Sequence, residues 1–314
     1  MLPPVSGRCS TAVKGERKRT LSPFRAAFSV AACLLVLTGC LQLIHPPSTT
    51  SRAPKVAVVL GAGASRGFAH IGVLKVLESN HIPIDMIVGA SAGSFVASLY
   101  ASGIKAYDLQ KMAISLDQSD IIDFAIPDNG FIKGESLEKY VNGVIKNAPL
   151  ERLPIPFFAV ATSLPEGRET VFATGNTGTA VRASCSIPGV FRPTKIGNVL
   201  YVDGGVVSPV PVEAAREKGA DIVIAVDISA DLDKEQPDGT IATILQAVNV
   251  MYSKLATQQD AKADIVIKPK VGWIGSADFF RRHEAIMEGE KAALAVLPKI
   301  NGLISDRRNG VTPK

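Results

Sequence analysis

The stretch Gly-Ala-Ser-Ala-Gly at positions 89–93 stands between an apolar run, typical of a buried strand, and a segment of helical character. In a G-x-S-x-G nucleophile elbow the serine lies on a turn so tight that only small residues can flank it, and Gly89 and Gly93 meet that requirement. The hydroxyl group of Ser91 would project at a helix N-terminus, where the dipole stabilises developing negative charge. Two glycines around a serine also occur in ordinary strand-to-helix turns, so a purely structural turn is the alternative.

From Lys55 onward, apolar strands alternate with amphipathic helices. The β-branched and aliphatic run 56–60 is typical of a strand buried on both faces, and apolar residues at helical spacing follow it. The same pattern recurs at 84–88 and 222–226. This order predicts one α/β domain over residues 55–314, with a largely parallel sheet covered by helices. Further strands are expected at 157–161, 170–172, 199–202 and 265–267, and further helices at 135–145, 212–218, 241–257 and 279–296.

Residues 1–39 have the layout of a secretory signal peptide, because a basic segment precedes a short apolar run. The run is too short to span a bilayer comfortably. Its end, Leu-Thr-Gly-Cys, resembles a bacterial lipobox, in which Cys40 becomes the lipidated first residue of the mature chain; the alternative is a signal anchor with an incidental cysteine. Residues 40–54 then comprise the lipidated cysteine and a flexible tether, rich in Pro, Ser and Thr, that spans on the order of 20 Å.

The leader also accounts for the basic character of the chain. The formal net charge is +5, and residues 1–39 carry six basic residues and one acidic residue, so the remainder is near neutral. No basic stripe indicates a nucleic-acid partner. Apart from Cys40, only Cys185 remains after the leader, so disulfides cannot stabilise the expected mature chain and the core must do so.

The lipid at Cys40 would place the protein in a bacterial cell envelope, attached to a membrane and facing the periplasm. Leu41 stands where many lipoproteins that stay at the inner membrane carry an aspartate. The outer membrane is therefore favoured over the inner one.

A glycine-rich loop at 61–67 follows the first strand and leads into a helix. Its successive backbone N–H groups could bind either a phosphate or the oxyanion of a tetrahedral intermediate. A dinucleotide-binding G-x-G-x-x-G motif starting at Gly61 would need glycine where Arg66 stands, and the strand ending at Val88 lacks the following acid that holds a ribose. Nucleotide binding is therefore disfavoured.

A base for Ser91 is sought among carboxylates at the carboxyl ends of strands, where ligands bind in open α/β sheets. Asp203 follows the strand 199–202 and precedes two glycines, whereas Asp227 follows the strand 222–226 and is the competitor. Position alone favours Asp203 and leaves Asp227 open.

Histidine is scarce in this chain. Of its four histidines, only His283 follows Ser91, so His283 is the only possible third member of a Ser-acid-His triad in the α/β-hydrolase order. His283 falls on the polar face of the last expected helix, whereas a triad histidine belongs on a loop. A solvated surface histidine is the favoured interpretation.

Four motifs in collinear order resemble those of the patatin-like phospholipases. The similarity extends over residues 55–229, and four motifs in sequence are far more specific than any one of them. The resemblance favours Asp203 over Asp227, because an Asp-Gly-Gly box belongs to the family pattern. The matching segments are the loop with its following helix (61–74), the elbow (89–93), Ser-Cys-Ser-Ile-Pro-Gly-Val-Phe (184–191) and Asp-Gly-Gly (203–205).

The resemblance implies a three-layer α/β/α patatin-like fold with a Ser91–Asp203 dyad. Asp203 would act as general base and proton acceptor, and an acyl-enzyme would link the two half-reactions. An aspartate is a weak base at its ordinary pKa near 4, so close contact and partial desolvation must activate it. The expected oxyanion donors are the N–H groups of Gly63, Ala64 and Ser65, supported by Gly61, Arg66 and Gly67.

The loop departs from the family pattern at Ala62 and Ala64, where glycine is frequent. A positive φ at either position would therefore place a side chain in the left-handed region.

The leading hypothesis is a membrane-tethered serine acyl hydrolase, of phospholipase A or lysophospholipase type, with no metal or other cofactor. One alternative is a catalytically silent, lipid-binding envelope lipoprotein. Another is a Ser-Asp-His triad esterase that uses His283. A chain that only binds lipid has no need of Ser91, Asp203 and an oxyanion loop together, which favours the enzyme.

Overall fold

The described part of the chain comprises residues 52–124, 130–232 and 237–310 of a computed structural model. The expected signal peptide, the expected lipidation site Cys40 and nearly all of the expected tether lie outside these residues. Within the described ranges, no helix has both the length and the apolar character required to cross a membrane.

The described strands are β1 (Val56–Leu60), β2 (Met86–Ala90), β3 (Phe157–Ser163), β4 (Arg168–Phe172), β5 (Thr194–Ile196), β6 (Val199–Asp203), β7 (Ile222–Val226) and β8 (Ile265–Ile267). They form one sheet in the order β5-β6-β3-β2-β1-β7-β8, with β4 paired to β3. The pairs along β3, β2, β1, β7 and β8 are parallel, whereas β3–β4, β3–β6 and β5–β6 are antiparallel. The expected, mainly parallel sheet is confirmed.

The described helices are α1 (Phe68–Ser79), α2 (Ala92–Ala101), α3 (Ala106–Ser115), α4 (Gln118–Ile121), α5 (Glu135–Val144), α6 (Thr177–Ser184), α7 (Val212–Glu217), α8 (Thr240–Asp260) and α9 (Arg282–Arg308). Val58 and Leu60 of β1 belong to a core shared with α1, α2, α3, α5, α6 and α9. Ala57 and Val59 belong to a second core with α7 and α8. Because alternate side chains of a strand point to opposite faces, two helical layers enclose the sheet. The three-layer α/β/α architecture is confirmed.

Strand β3 brings the ends of two other strands together. Residues 161–163 of β3 pair with β4 on one edge of the strand and with β6 on the other edge. The preceding residues 157–160 pair with β2 on the same edge as β6. Ala90 at the end of β2 pairs with Val160, and Asp203 at the end of β6 pairs with Ala161. The residue that follows β2 therefore lies beside Asp203.

Strand β2 begins and ends two residues later than the expected 84–88. Pro83 has no N–H to donate, and the carboxylate of Asp85 accepts the N–H of Val56 at 2.7 Å, so the strand pairing starts only at Met86. Since α2 begins at Ala92, a single residue separates strand from helix.

Helices α3 and α6 were not among the expected helices. In α3 the residues that face the core are Ala106, Leu109 and Ala113, which have helical spacing but little apolar bulk. In α6 the first turn is capped by the side chain of Asn176, which accepts the N–H of Thr179 at 2.8 Å. The exposed apolar side chains of Tyr107 and Ile114 obscure the buried face of α3, and α6 has a single large apolar residue, Val181.

Candidate active site

Ser91 is the single residue between β2 and α2, and its backbone is strained. Its φ of 53° and ψ of −127° lie in a region that residues other than glycine rarely adopt. A Cβ atom at Gly93 would lie 2.0 Å from the carbonyl oxygen of Leu60, and one at Gly89 would lie 2.5 Å from the Cα of Ser94. Both glycines are therefore required by close backbone approach, and the turn has the geometry of a nucleophile elbow.

Asp203 ends β6 and is fully buried. Its Oδ1 atom accepts hydrogen bonds from the N–H of Gly205 at 2.7 Å and from the hydroxyl of Tyr252 at 2.8 Å. Burial raises the pKa of the Asp203 carboxyl to about 6, against the opposing effect of the polar contact with Ser91 and of the hydrogen bonds from Gly205 and Tyr252. This carboxylate is a stronger base than an exposed aspartate.

The contact between Ser91 and Asp203 is loose. The Ser91 hydroxyl lowers the pKa of Asp203 as a hydrogen-bond donor would. The buried Oδ2 atom of Asp203 nevertheless has no fully formed hydrogen bond to any described residue. Hydrogen bonds of this kind often tighten only when a substrate is bound, so the geometry is compatible with proton transfer.

Two serines of the 184–191 segment fix the relative position of the elbow and Asp203. The Ser184 hydroxyl donates to the carbonyl oxygen of Val160 at 2.5 Å and accepts the N–H of Ser91 at 2.9 Å. The carbonyl oxygen of Ser186 accepts the N–H of Asp203 at 2.9 Å. These contacts give a structural role to a motif whose role the sequence left open.

The glycine-rich loop offers fewer free donors than expected. The N–H groups of Gly63 and Ala64 make no hydrogen bond to a described residue, whereas the N–H of Ser65 donates to the carbonyl oxygen of Ser276 at 3.3 Å. Ala64 has a φ of 51°, so the alanine does occupy the left-handed region, at a cost on the order of 1 kcal/mol. The free amides in this loop are therefore those of Gly63 and Ala64.

Arg66 holds the loop from inside the protein. Its buried guanidinium donates to the carbonyl oxygens of Ile228 and Ile274, both at 3.0 Å, and to the Oδ1 atom of Asn249 at 3.1 Å. Burial lowers the pKa of Arg66 to about 10, which leaves it charged at neutral pH. The side chain thereby ties the loop to α8 and to two distant segments.

The two glycines at the ends of the loop make close contacts. The carbonyl oxygen of Gly61 lies 2.8 Å from Nε2 of His70, the helix residue that was expected to be hydrogen-bonded near this loop. Burial lowers the pKa of His70 to about 4, so its imidazole is neutral. A Cβ atom at Gly67 would lie 2.7 Å from the Cβ of Ala92, so the loop contacts the first residue of α2.

Two groups of the site escaped the sequence analysis. The first is the N–H of Ala92, which begins α2 and therefore lacks an intrahelical acceptor. In the elbow geometry the residue after the nucleophile supplies an oxyanion donor, and this rule could have identified it. The second is Tyr252, which lies in α8 about 50 residues after Asp203; no local pattern points to it.

An apolar cavity of about 340 Å³ opens beside Ser91. Ala64 and Ser65 of the glycine-rich loop also line it. The remaining wall is largely apolar and includes Phe68, Phe95, Leu99, Leu109, Met112 and Ile187. Ser91 and the loop thus meet at a cavity whose surface suits hydrocarbon, whereas the carboxylate of Asp203 is fully buried and does not line it.

Asp227 and His283, the other candidates for the base, lie in surroundings that differ from those of Asp203. Asp227 is buried and forms an ion pair with Lys268 at 2.5 Å. Burial alone would raise the pKa of Asp227, but the contacts with Lys268 and Ser229 outweigh it and leave the pKa below its ordinary value. His283 is exposed in the first turn of α9 and does not line the cavity.

A metal site is not evident in the described residues. No group of three or more His, Cys, Asp or Glu side chains among them has an arrangement that could hold an ion.

The fold and the site together define a family. The sequence profile of the family described as patatin-like phospholipase matches residues 58–216, about half of the chain. The chain therefore belongs to the patatin-like phospholipase family.

Several relatives share this region. An uncharacterized NTE family protein of Mycobacterium bovis is 36% identical over 182 residues, which cover 57% of this chain and 50% of that protein. Patatin-like phospholipase domain-containing protein 6 of Mus musculus is 33% identical over 184 residues, 56% of this chain and 14% of that protein. The lysophospholipase NTE1 of Debaryomyces hansenii is 31% identical over 185 residues, 57% of this chain and 12% of that protein. The chain thus matches half or less of the length of these curated relatives.

A solved structure supports the fold assignment. VipD from Legionella pneumophila is similar with a TM-score of 0.54 and 13% sequence identity, over 79% of this chain and 67% of that one. A similarity at this identity concerns the fold alone, and it confirms the expected patatin-like α/β fold.

Proposed function

We propose that this chain is a serine acyl hydrolase that cleaves carboxylic esters of phospholipid or lysophospholipid through a Ser91–Asp203 dyad. The observation that carries the proposal is the register of β3, which pairs with Ala90 and with Asp203 through adjacent residues. Family membership supports a lipid hydrolase, and a relative named as a lysophospholipase supports the choice of lipid ester.

In the first half-reaction, Asp203 accepts the proton of the Ser91 hydroxyl while the Ser91 oxygen attacks the ester carbonyl. With a pKa of about 6, Asp203 is mostly ionised at pH 7 and is still a better base than an exposed carboxylate. The tetrahedral intermediate collapses when Asp203 returns the proton to the leaving alcohol, which leaves an acyl group on Ser91. Asp203 then takes a proton from a water molecule as that water attacks the acyl-enzyme, and returns the proton to the Ser91 oxygen as the bond to the acyl group breaks, which releases the fatty acid and restores the Ser91 hydroxyl.

The oxyanion of each tetrahedral intermediate needs fixed N–H donors. We assign this role to the amides of Gly63, Ala64 and Ala92, which make no hydrogen bond to a described residue, and removing one such donor typically costs about 2.7 to 4 kcal/mol of transition-state stabilisation. The Ser65 amide, which was the third expected donor, can serve only if its hydrogen bond to Ser276 opens.

The acyl chain of the substrate would occupy the apolar cavity beside Ser91. Burial of hydrocarbon there contributes on the order of 25 cal/mol per Å² of apolar surface removed from water. The cavity therefore favours a lipid ester over a small polar ester.

The proposal also includes the membrane tether. Residues 1–39 would be removed, Cys40 would carry lipid, and residues 40–54 would connect the anchor to a hydrolase domain at 55–314 in a bacterial envelope, facing the periplasm. Cys40→Ser should abolish incorporation of labelled fatty acid, whereas Cys185→Ser, at a buried cysteine, should not. Fatty-acid labelling that persists in Cys40→Ser would refute the anchor.

The nucleophile is tested by Ser91→Ala. This variant should lose hydrolysis of lysophosphatidylcholine and covalent labelling by a fluorophosphonate, and it should stay folded by circular dichroism. The matched control is Ser98→Ala, at a buried serine of α2 that donates to the carbonyl oxygen of Phe95 at 2.8 Å and should keep both activities. Labelling that survives in Ser91→Ala would refute the assignment.

A further inference from the structure

The segment 272–281, here called the rim segment, has one side in the cavity and the other in solvent. Ser276, Ala277 and Phe279 line the cavity. Trp273 is 50% exposed and Phe280 is 92% exposed, although both are large apolar side chains. The segment thus carries two exposed aromatic rings at the edge of the cavity.

The exposed rings form one group with a basic residue. The guanidinium of Arg281 lies 5.6 Å from the centre of the Trp273 ring, and Phe280 is its neighbour in sequence. The indole N–H of Trp273 already donates to the carbonyl oxygen of Lys270 at 3.0 Å. Transfer of this ring into an apolar medium would therefore leave no donor without a partner.

A second segment, from the end of α3 to Phe124, also borders the cavity. Arg282, the residue after the rim segment, donates to the carbonyl oxygens of Ala113 and Leu116 at 2.8 and 2.9 Å, so the rim segment ends beside the end of α3. Beyond that point, Phe124 lines the cavity and is 78% exposed. Apolar exposed side chains thus stand on both segments that border the cavity.

The charges at this edge are balanced. Arg281 makes ion pairs with Asp278 and with Glu284, at 3.9 and 3.0 Å. An edge with balanced charges and exposed aromatic rings suits insertion into a neutral lipid surface rather than attraction to an anionic one. Tryptophan is also the residue most suited to the boundary between headgroups and acyl chains.

We propose that the rim segment is the membrane-contact surface of the hydrolase domain and that Trp273 and Phe280 insert into the surface of a phosphatidylcholine bilayer. The inference rests on the proposed function, because it supplies the route by which an acyl chain would leave the bilayer and enter the cavity at Ser91. Insertion depends on apolar contact, so it changes little with salt concentration.

The first test uses the tryptophan itself, since Trp273 is the only tryptophan of the chain. Full-length protein carrying Ser91→Ala is mixed with phosphatidylcholine vesicles whose acyl chains bear bromine, a quencher of indole fluorescence. Quenching and a blue shift of the emission are expected, and Phe280→Ser should reduce both. Unchanged emission from protein that has sedimented with the vesicles would overturn the proposal.

The second test compares two substrates. Trp273→Ser with Phe280→Ser should lower the turnover of vesicle phospholipid by at least about tenfold relative to the turnover of a water-soluble short-chain ester. The matched control is Tyr107→Ser with Leu294→Ser, which removes two similarly exposed apolar side chains, 62% and 54% exposed. An unchanged ratio in the rim variant, or an equal fall in the control, would overturn the proposal.

The control side chains lie away from the rim. Tyr107 is in the first turn of α3, next to Ala106, whose N–H donates to Glu78 near the far end of α1. Leu294 lies twelve residues beyond Arg282 in α9, roughly 18 Å along the helix.

The soluble ester separates the two proposals. Wild-type protein that cleaves neither substrate would refute the hydrolase, whereas fluorescence quenching with Ser91→Ala still tests the membrane contact by itself.

Discussion

Asp203 is the last residue of β6 and Asp227 follows β7, and three other strands of the sheet lie between them. The two aspartates have the same local turn, yet their carboxylates differ. Each is buried, and each accepts the N–H of the residue two positions later, from Gly205 at 2.7 Å and from Ser229 at 2.8 Å. The two carboxylates differ in the second side chain that each contacts. Asp203 meets the neutral hydroxyl of Tyr252, whereas Asp227 meets the ammonium group of Lys268.

The charge of the partner determines whether the pKa of the aspartate is raised or lowered. Burial with neutral donors raises the pKa of Asp203 to about 6, and burial with an ammonium group leaves that of Asp227 below its ordinary value. A carboxylate with a raised pKa is the better proton acceptor near neutral pH. Similar positions at strand ends thus acquire different chemistry from residues far away in sequence.

The largest expected effect is on turnover. Asp203→Asn should lower kcat/KM for lysophosphatidylcholine by about 10³-fold, since an amide cannot accept the Ser91 proton. Asp227→Asn should keep kcat/KM within about tenfold of wild type at a temperature where it is folded. Equal losses in the two variants would remove the distinction between the aspartates.

Asp203→Asn and Asp227→Asn should also differ in stability, and here Asp203→Asn is expected to gain relative to wild type as pH rises. As pH rises from about 4 to 6, the unfolded chain releases the Asp203 proton before the folded chain does, so this carboxyl lowers wild-type stability over that window. The unfolding free energy of Asp203→Asn relative to wild type should therefore rise by about 2 to 3 kcal/mol between pH 4 and pH 8. Asp227→Asn should show no such gain in denaturant titrations, and a flat difference for Asp203→Asn would contradict the raised pKa.

Tyr252→Phe tests how the neutral partner affects the carboxylate of Asp203. The Tyr252 hydroxyl donates to the Asp203 carboxylate and lowers its pKa, so its removal should raise that pKa further. The rising limb of the pH profile of kcat/KM should move to higher pH, because the base works only when it is ionised. The control is Tyr201→Phe, at the strand residue two positions before Asp203. If activity falls at every pH while the rising limb of the pH profile keeps its position, Tyr252 has a structural role only.

Lys268→Gln should give the smallest effect. The Lys268 side chain is 59% exposed, so solvent weakens the pair, and loss of the ammonium should destabilise the fold at pH 7 by about 1 to 2 kcal/mol. The folded-state pKa of Asp227 is lowered, so its contribution is present above about pH 4 and is lost as pH falls through the folded pKa. The deficit of Lys268→Gln in thermal unfolding should shrink in acid. Lys270→Gln, at the next exposed lysine, should show no comparable deficit.

Much of the fold was predictable, because the parallel strands carry strong apolar runs. β1, β7 and β8 begin and end where the sequence predicts, and the tight glycines around Ser91 have the close contacts that the motif requires. Helices α3 and α6 were missed, because exposed apolar residues obscure the buried face of α3 and α6 has few apolar residues. The sequence also could not reveal that Ser65 donates to Ser276 or that Tyr252 meets Asp203, since both contacts join residues that are distant in the chain.

In the proposed mechanism, Asp203 activates Ser91 without a histidine. The most direct measurement is the rate of fluorophosphonate labelling of Ser91 between pH 4 and pH 9, in wild type, Asp203→Asn and His283→Ala. We expect a labelling rate that rises through about pH 6 in wild type and in His283→Ala, and that is lost in Asp203→Asn. Labelling that keeps its rate and pH profile in Asp203→Asn, or that is lost in His283→Ala, would contradict the claim.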